Sequence, residues 1–101
     1  MKINNINGTS QNNCKCGSWL EHWQKFSNQN PLRYCPVLNC LEKAELGAHV
    51  QKDSIFDRNW YIVPMCKVHN AERNKSLEIS NSTDLVSANV SETCEKRYSR
   101  Y

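Results

Sequence analysis

The residues of this 101-residue chain best suited to chemistry are its cysteines and histidines, of which it has six and three. Four of them form two close pairs: Cys35 and Cys40 flank a turn that contains Pro36, and Cys66 precedes His69 by three positions. Thiolates and imidazoles are the ligands that zinc prefers, and a structural zinc site takes four of them in a tetrahedron. The two pairs therefore predict one closed Cys₃His zinc site. The alternative is a group of buried free cysteines beside a packed histidine.

Two local elements must bring these pairs together. The first pair lies on a turn, whereas Cys66 and His69 stand at the start of a predicted helix, where their spacing makes both side chains project to one side. The positive end of the helix dipole also favours a thiolate at Cys66. A turn and a helix N-terminus that supply two ligands each form a treble-clef finger. Structural zinc contributes on the order of 10–16 kcal/mol in small peptides, which exceeds the net stability of a typical domain, so we expect metal to decide whether the chain folds.

A second set of ligands is available outside this finger. It consists of Cys14, Cys16, His22 and Cys94. The first two precede a predicted helix that carries the histidine, and the last must return from the far end of the chain. This set predicts a second Cys₃His zinc site. Two alternatives stay open: His22 packs on an aromatic face between Trp19 and Trp23, or a cysteine pairs with Cys94.

The composition explains why metal would matter. Hydrophobic residues make up 39% of the chain, mean hydropathy is −0.75, and asparagine and serine together account for 23 residues. A short, apolar-poor chain has a thin core. No segment approaches the roughly 20 apolar residues of a membrane span, and residues 1–13 lack the apolar centre of a secretory signal. We therefore expect a cytoplasmic protein with reduced cysteines; a secreted domain stapled by disulfides is the alternative.

A single α+β domain is predicted, with an extra N-terminal helix added to a small zinc-stabilised treble clef. Its regions are a loose N-terminal segment (1–13), a helix region (14–30), the treble-clef core (34–75), and C-terminal strands with a basic tail (76–101). Ser18 followed by Glu21 is a capping-box signature, so the helix should begin there.

Local composition predicts the elements that follow. The β-branched and aromatic run 60–63 is typical of a strand, which we expect Pro64 to end. A helix is predicted over 66–74, and weaker strands are predicted over 77–79 and 85–90.

The order of these motifs resembles a known nuclease family. Residues 34–74 are similar to the HNH, or ββα-metal, endonuclease superfamily in its zinc-bearing form. Those families run as a cysteine pair, a strand with a histidine, an asparagine, and a helix that opens with a second ligand pair. The matching segments are the Cys35/Cys40 pair, Gly47-Ala48-His49-Val50, Asn59-Trp60-Tyr61-Ile62-Val63-Pro64 and Cys66-Lys67-Val68-His69-Asn70.

The resemblance implies that three residues take part in phosphodiester cleavage. His49 would be the general base that takes a proton from the attacking water, and Asn59 would orient the imidazole of this base. Asn70 would bind a catalytic divalent ion, usually Mg²⁺. Ala48 stands where a metal-ligating acid or histidine is common in the family, and Asn70 where a histidine is common. An inactive relative of these nucleases is therefore the alternative, in which His49 is a packed strand histidine without a catalytic role.

Charge leaves the class of partner open. The formal net charge is +3, which permits phosphate binding without requiring it. Five cations near the finger are candidates for nucleic-acid contacts: Lys52, Arg58, Lys67, Arg73 and Lys75. The basic, aromatic tail 96–101 is a further candidate, for single-strand contacts. The alternatives are a solvated surface for the cluster and a frayed terminus for the tail.

Three functions are consistent with these patterns. The first is an HNH-like, metal-dependent endonuclease of phage or mobile-element origin, directed at nucleic acid. The second is an inactive treble clef that binds nucleic acid. The third is a zinc-stabilised module that binds a protein, for example a small phage or mobile-element inhibitor.

Overall fold

Five short strands form one antiparallel sheet in the computed structural model, which describes residues 1–6, 17–72 and 74–89. In chain order the elements are β1 (Lys2–Asn5), α1 (Trp19–Phe26), β2 (Leu46–Lys52), β3 (Tyr61–Met65), α2 (Lys67–Asn70), β4 (Ser76–Glu78) and β5 (Val86–Ser87). The strand order across the sheet is β4-β1-β2-β3-β5, and every neighbouring pair is antiparallel. The predicted α+β class is confirmed.

The N-terminal segment is the main correction to the sequence prediction. Instead of a loose lead-in, the chain starts with β1 inside the sheet, where Ile3 pairs with Lys52 of β2 and with Leu77 of β4. Ile3 and Asn5 are fully buried. A strand with a partner on each edge satisfies its backbone groups on both sides, so this segment is ordered although its composition is polar. The rest of the predicted loose segment, 7–13, lies outside the described residues.

Helix α1 begins at the predicted cap. The Ser18 hydroxyl accepts a hydrogen bond from the backbone N–H of Glu21 at 3.1 Å, which satisfies one of the free donors of the first turn. The helix lies across β2 and β3 and buries Trp23 completely, and the Trp23 indole N–H donates to the Asp84 carbonyl at 2.9 Å. At Gly47 of β2 the approach is so close that a β-carbon would overlap the backbone of α1. A glycine there lets the helix sit directly on the strand.

Strand β3 continues through Pro64, which we expected to end it. Met65 accepts a hydrogen bond from the Glu45 N–H at 3.0 Å. The backbone groups of Met65 therefore point toward β2. In an antiparallel strand the backbone groups of successive residues point to opposite sides, so those of Pro64 point toward the other edge of β3. At that edge β5 pairs with Tyr61 and Ile62 and ends before it reaches the proline. The missing N–H therefore costs no ladder hydrogen bond.

The later elements are short. The helix predicted over 66–74 is the single turn α2, and the strands predicted over 77–79 and 85–90 are present as β4 and β5, with three and two residues. In the described part of the chain, neither helix has the length and apolar character that crossing a bilayer would require.

The sheet has two buried faces, which we call the metal face and the α1 face. The metal face is built from Ile3, Ala48, Val50, Val63, Met65, Leu77 and Ile79, with Cys35 and Cys66 packed against them. The α1 face is built from Trp23, Ile62 and Val86, with Trp19, Phe26, Leu32 and Ala88 around them. Neighbouring residues of a strand point to opposite faces, so His49, between Ala48 and Val50, points to the α1 face. This alternation decides which predicted site residues can meet.

Candidate metal centre

The four residues of the first predicted metal site come together on the metal face. Cys35, Cys40, Cys66 and His69 each offer one ligand atom, and these four atoms all lie within 4.8 Å of one another. The Sγ atoms of Cys40 and Cys66 are 3.9 Å apart, and His69 Nδ1 lies 3.7 Å from the Cys35 Sγ and 3.2 Å from the Cys66 Sγ. A tetrahedron with metal–sulfur distances of about 2.3 Å has edges of about 3.8 Å. The cluster therefore has the size of a tetrahedral metal site.

A tight turn positions the first two ligands. The Cys40 N–H donates to the Val37 carbonyl at 3.0 Å, and Asn39, just before the second cysteine, has a left-handed backbone with φ of 66°. Asparagine tolerates this conformation better than most residues. The turn is joined to the sheet through β4, because the Leu38 N–H donates to the Glu78 carbonyl at 3.0 Å. The two cysteines thus stand on a turn that one hydrogen bond closes and a second joins to β4.

The junction between β3 and α2 positions the other two. Cys66 follows β3 directly and is the N-cap of α2, where its Sγ accepts a hydrogen bond from the His69 N–H at 3.4 Å. His69 lies one turn later on the same side of the helix. A loop and a helix start therefore supply two ligands each, as the sequence predicts.

Burial keeps the Cys35 thiol of the cluster protonated when no cation is bound. Cys35 and Cys66 are buried, and Cys40 is partly buried. Burial raises the pKa of the Cys35 thiol to about 12, so the thiolate is disfavoured in the protein alone. A divalent cation reverses this balance, because a coordinated thiol is deprotonated. The donor set and its burial therefore fit a metal ion.

The residues implied as catalytic are not brought together. His49 is 5% exposed on the α1 face, with its ring 4.6 Å from that of Trp19 and 6.2 Å from that of Trp60. Asn70 ends α2, and the last carbonyls of α2 contact the side chain of Asn5, which shares the metal face with Ile3. The sheet therefore lies between the histidine and α2.

The third implied residue is also distant from α2. Asn59 is exposed just before β3, whereas α2 begins just after β3. A five-residue strand separates its ends by roughly 15 Å. Burial, followed by the proximity of His22, lowers the pKa of His49 to about 4, so this imidazole is neutral but enclosed.

The cations predicted to bind phosphate are mostly paired. Lys52 contacts Asp57 at 3.3 Å, Lys67 contacts Glu45 at 3.7 Å, and Lys75 contacts Glu72 at 3.0 Å. Arg58 is exposed, with its carbonyl accepting a hydrogen bond from the Gln51 side chain. Arg73 and the tail 96–101 lie outside the described residues. The four described cations therefore do not form an unpaired basic surface.

Of the four residues of the second predicted metal site, the structure describes His22 alone. His22 is buried on the α1 face, and its Nε2 lies 2.8 Å from the Ser87 carbonyl. Burial lowers the pKa of His22, against the opposing effect of that carbonyl. Cys14, Cys16 and Cys94 lie outside the described residues, so this set stays a prediction.

The loop between β2 and β3, residues 53–60, carries a feature that the sequence analysis did not single out. Ile55 is 74% exposed and Phe56 is 93% exposed. Two adjacent apolar residues among the polar residues of 53–59 were the available signal.

Comparison with known proteins gives no relative from which a role could be transferred: no family model, curated protein or solved structure matches this chain.

Proposed function

We propose that this protein is a zinc-stabilised binding module whose β2–β3 loop inserts its apolar tip into a socket on a protein partner. The observation that carries the proposal is the tip itself, Ile55-Phe56, which a structured loop holds in solvent. The metal centre supports the scaffold and takes no part in chemistry.

Zinc is the metal that suits the donors. Three sulfurs and one imidazole are soft or borderline ligands, whereas Mg²⁺ requires oxygen ligands. Four protein ligands fill a tetrahedron and leave no open position for substrate, which is typical of a structural zinc site. In this proposal the turn and the helix start form a treble-clef finger.

The loop is held in shape by its polar groups. Asp57 is the centre: its carboxylate accepts hydrogen bonds from the Tyr61 hydroxyl at 2.6 Å and the Asn59 N–H at 3.0 Å, and it pairs with Lys52. The Phe56 N–H donates to the Ser54 hydroxyl at 3.1 Å. The polar residues thus satisfy one another, and the two apolar residues are left facing water.

Such a tip fits a protein better than a polyanion. A large aromatic side chain that enters a desolvated pocket is the usual anchor of a protein interface, and a preorganised loop loses little entropy on binding. The charges that flank the tip in the sequence are of both signs, Asp53, Asp57 and Arg58, and Asp57 is paired with Lys52. We therefore expect a partner with an apolar socket and charges of both signs around it.

The nuclease hypothesis has less support from this geometry. His49 is enclosed between α1 and the sheet, away from the face that carries α2. A general base must reach the water from which it takes a proton. A plasmid-nicking assay with Mg²⁺ or Mn²⁺ discriminates the two readings: cleavage that is lost in His49→Ala would overturn the binding-module proposal.

The test uses the full-length, zinc-loaded protein as bait in a lysate of its own cells. Each captured protein is then purified and titrated against the wild type, Phe56→Ser and Leu41→Ser. Leu41 is the matched control, because it is 83% exposed but lies beside the metal centre.

We expect Phe56→Ser to lower affinity by at least about tenfold, as for an interface anchor, while Leu41→Ser leaves it unchanged. The proposal fails if no captured protein shows this difference. It also fails if the protein instead binds an oligonucleotide in a salt-dependent way.

A further inference from the structure

Asn5 connects the N-terminal strand to the metal-bearing helix. Its side chain is fully buried, and its Nδ2 donates to the carbonyls of His69 at 3.0 Å, Asn70 at 3.0 Å and Glu72 at 2.9 Å. The two hydrogens of this NH₂ group are thus shared among three carbonyl oxygens at the end of α2. One of these carbonyls belongs to His69, a ligand of the metal centre.

Helix α2 needs this support. It has four residues, and an isolated helix of that length is not stable in water. The last carbonyls of a helix have no partner within it, so other groups must satisfy them. The Glu72 N–H satisfies the His69 carbonyl in part, at 3.1 Å, and the carboxamide of Asn5 does the rest from a distant strand. It thereby fixes the backbone that orients the His69 imidazole.

Asn5 is itself held firmly. Its N–H donates to the Lys75 carbonyl at 3.0 Å, and its own carbonyl accepts from the Asn74 N–H at 2.8 Å. Within the described residues its Oδ1 is buried and has no hydrogen-bond partner. The side chain therefore keeps the orientation in which its NH₂ group faces the three carbonyl oxygens.

We infer that Asn5 is a positioning residue of the metal centre, and that through it metal occupancy is coupled to the docking of β1 in the sheet. The inference rests on the proposed zinc site. Zinc holds Cys66 and His69 and so keeps the carbonyls of α2 in place for the Asn5 amide. When zinc is removed, the carbonyls diverge, the buried amide loses its acceptors, and β1 is released from the sheet.

The coupling must act in both directions. If zinc stabilises the docked strand, then a strand that holds α2 correctly must raise the affinity for zinc by the same factor. Both directions can be measured.

Asn5→Asp tests whether the strand raises the affinity for zinc. The substitution keeps the shape but places a carboxylate against three carbonyl oxygens, where a donor is required. Asn4→Asp is the matched control, because it makes the same chemical change on the neighbouring residue, whose side chain points to the opposite face. Zinc affinity is measured by competition with a chelator.

We expect Asn5→Asp to weaken zinc binding by about tenfold or more, as is typical of residues that orient metal ligands, while Asn4→Asp leaves it unchanged. The visible absorption bands of the Co²⁺-substituted protein should also change in Asn5→Asp alone, because ligand geometry is disturbed. Equal affinity and identical Co²⁺ spectra in the two variants would overturn the inference.

Hydrogen exchange in the wild type tests whether zinc stabilises the docked strand. This experiment does not depend on a variant that folds. The chelator is kept below the concentration at which circular dichroism shows the protein to unfold. In that range, lowering free zinc should accelerate exchange at the Asn5 amide more than at the Ile62 amide of β3. Uniform acceleration in both strands would mean that β1 has no special coupling.

The two proposals fail differently. A protein that binds no zinc refutes the proposed function. A protein that binds zinc through its four ligands, but treats both asparagine variants alike, refutes only the role of Asn5.

Discussion

The imidazole of His49 stands edge-on against the indole of Trp19, with ring centroids 4.6 Å apart and ring planes at 75°. The residue that resembles a catalytic base is therefore a packing element between the sheet and α1. Burial, with a smaller contribution from the nearby His22, lowers the pKa of His49 from 6.5 to about 4. The folded protein holds this imidazole neutral at pH 7.

The first prediction is that acid destabilises the protein through His49. Its folded pKa lies below the unfolded value, so the unfolded chain binds the proton more readily as pH falls from 6.5 to about 4. Stability is therefore lost through this window, by a contribution of about 3 kcal/mol from this residue. His49→Phe keeps a ring beside Trp19 but cannot be protonated, so its unfolding free energy should depend less steeply on pH.

Chemical denaturation of both proteins at several pH values measures this difference. Acid also displaces metal from thiolates, but that effect is common to both proteins and cancels in the comparison. Parallel pH profiles for wild type and His49→Phe would contradict the prediction.

The second prediction concerns metal content. Purified protein should contain at least one zinc ion per chain, and a value near two would assign the second ion to the set with Cys14, Cys16, His22 and Cys94. Cys66→Ser removes one thiolate, so we expect it to lose zinc and to unfold, since structural zinc contributes on the order of 10 kcal/mol. His49→Phe should retain its zinc. Metal analysis and circular dichroism melts check both variants, and a zinc content near zero in the wild type would refute the site.

The third prediction tests the contact between α1 and β2. A β-carbon at Gly47 would lie 2.6 Å from the Leu20 nitrogen and closer still to the Trp19 carbonyl carbon. Backbone cannot yield as a flexible side chain does, so Gly47→Ala should destabilise the fold by about 1–3 kcal/mol. The adjacent variant Leu46→Ala, at the strand end, serves as the control. Similar melting temperatures for Gly47→Ala and wild type would show that the helix can move away at little cost.

The fourth prediction concerns the base of the β2–β3 loop. Hydrogen bonds from the Tyr61 hydroxyl and then from the Asn59 N–H lower the pKa of Asp57, and so do the hydrogen bond and the charge of Lys52, each by a smaller amount. Tyr61→Phe should therefore raise the Asp57 pKa. Carboxyl ¹³C titration by NMR measures this change, and an unchanged Asp57 pKa in Tyr61→Phe would contradict the arrangement.

The parts of the molecule that depend on short-range patterns were predictable. The cap at Ser18 and the ligand pairs at 35/40 and 66/69 are each defined by residues a few positions apart. Local chemistry acts over that distance, so the sequence alone suffices there. The predicted clustering of the four ligands is confirmed, and it arises where the turn with the first pair meets the helix start with the second.

The parts that depend on distant partners were not predictable in this way. Nothing within β1 shows that two strands from later in the chain will flank it. The sequence of β2 shows that the side chain of His49 and those of Ala48 and Val50 lie on opposite faces of the strand. Which of the two faces would carry α1 depends on tertiary packing. The prediction for Pro64 was wrong for the same reason, because only the length of β5 shows that the edge beside the proline is unpaired.

The position of β1 has a consequence for how the chain acquires its structure. This strand leaves the ribosome before both of its neighbours, β2 and β4. Its pairings are among the most distant in sequence, and such pairings slow folding because a long loop must close before they form. Strand β1 therefore has no strand partner until β2 and β4 have been synthesised. Docking of β1 between them is then what joins β4 to the rest of the sheet.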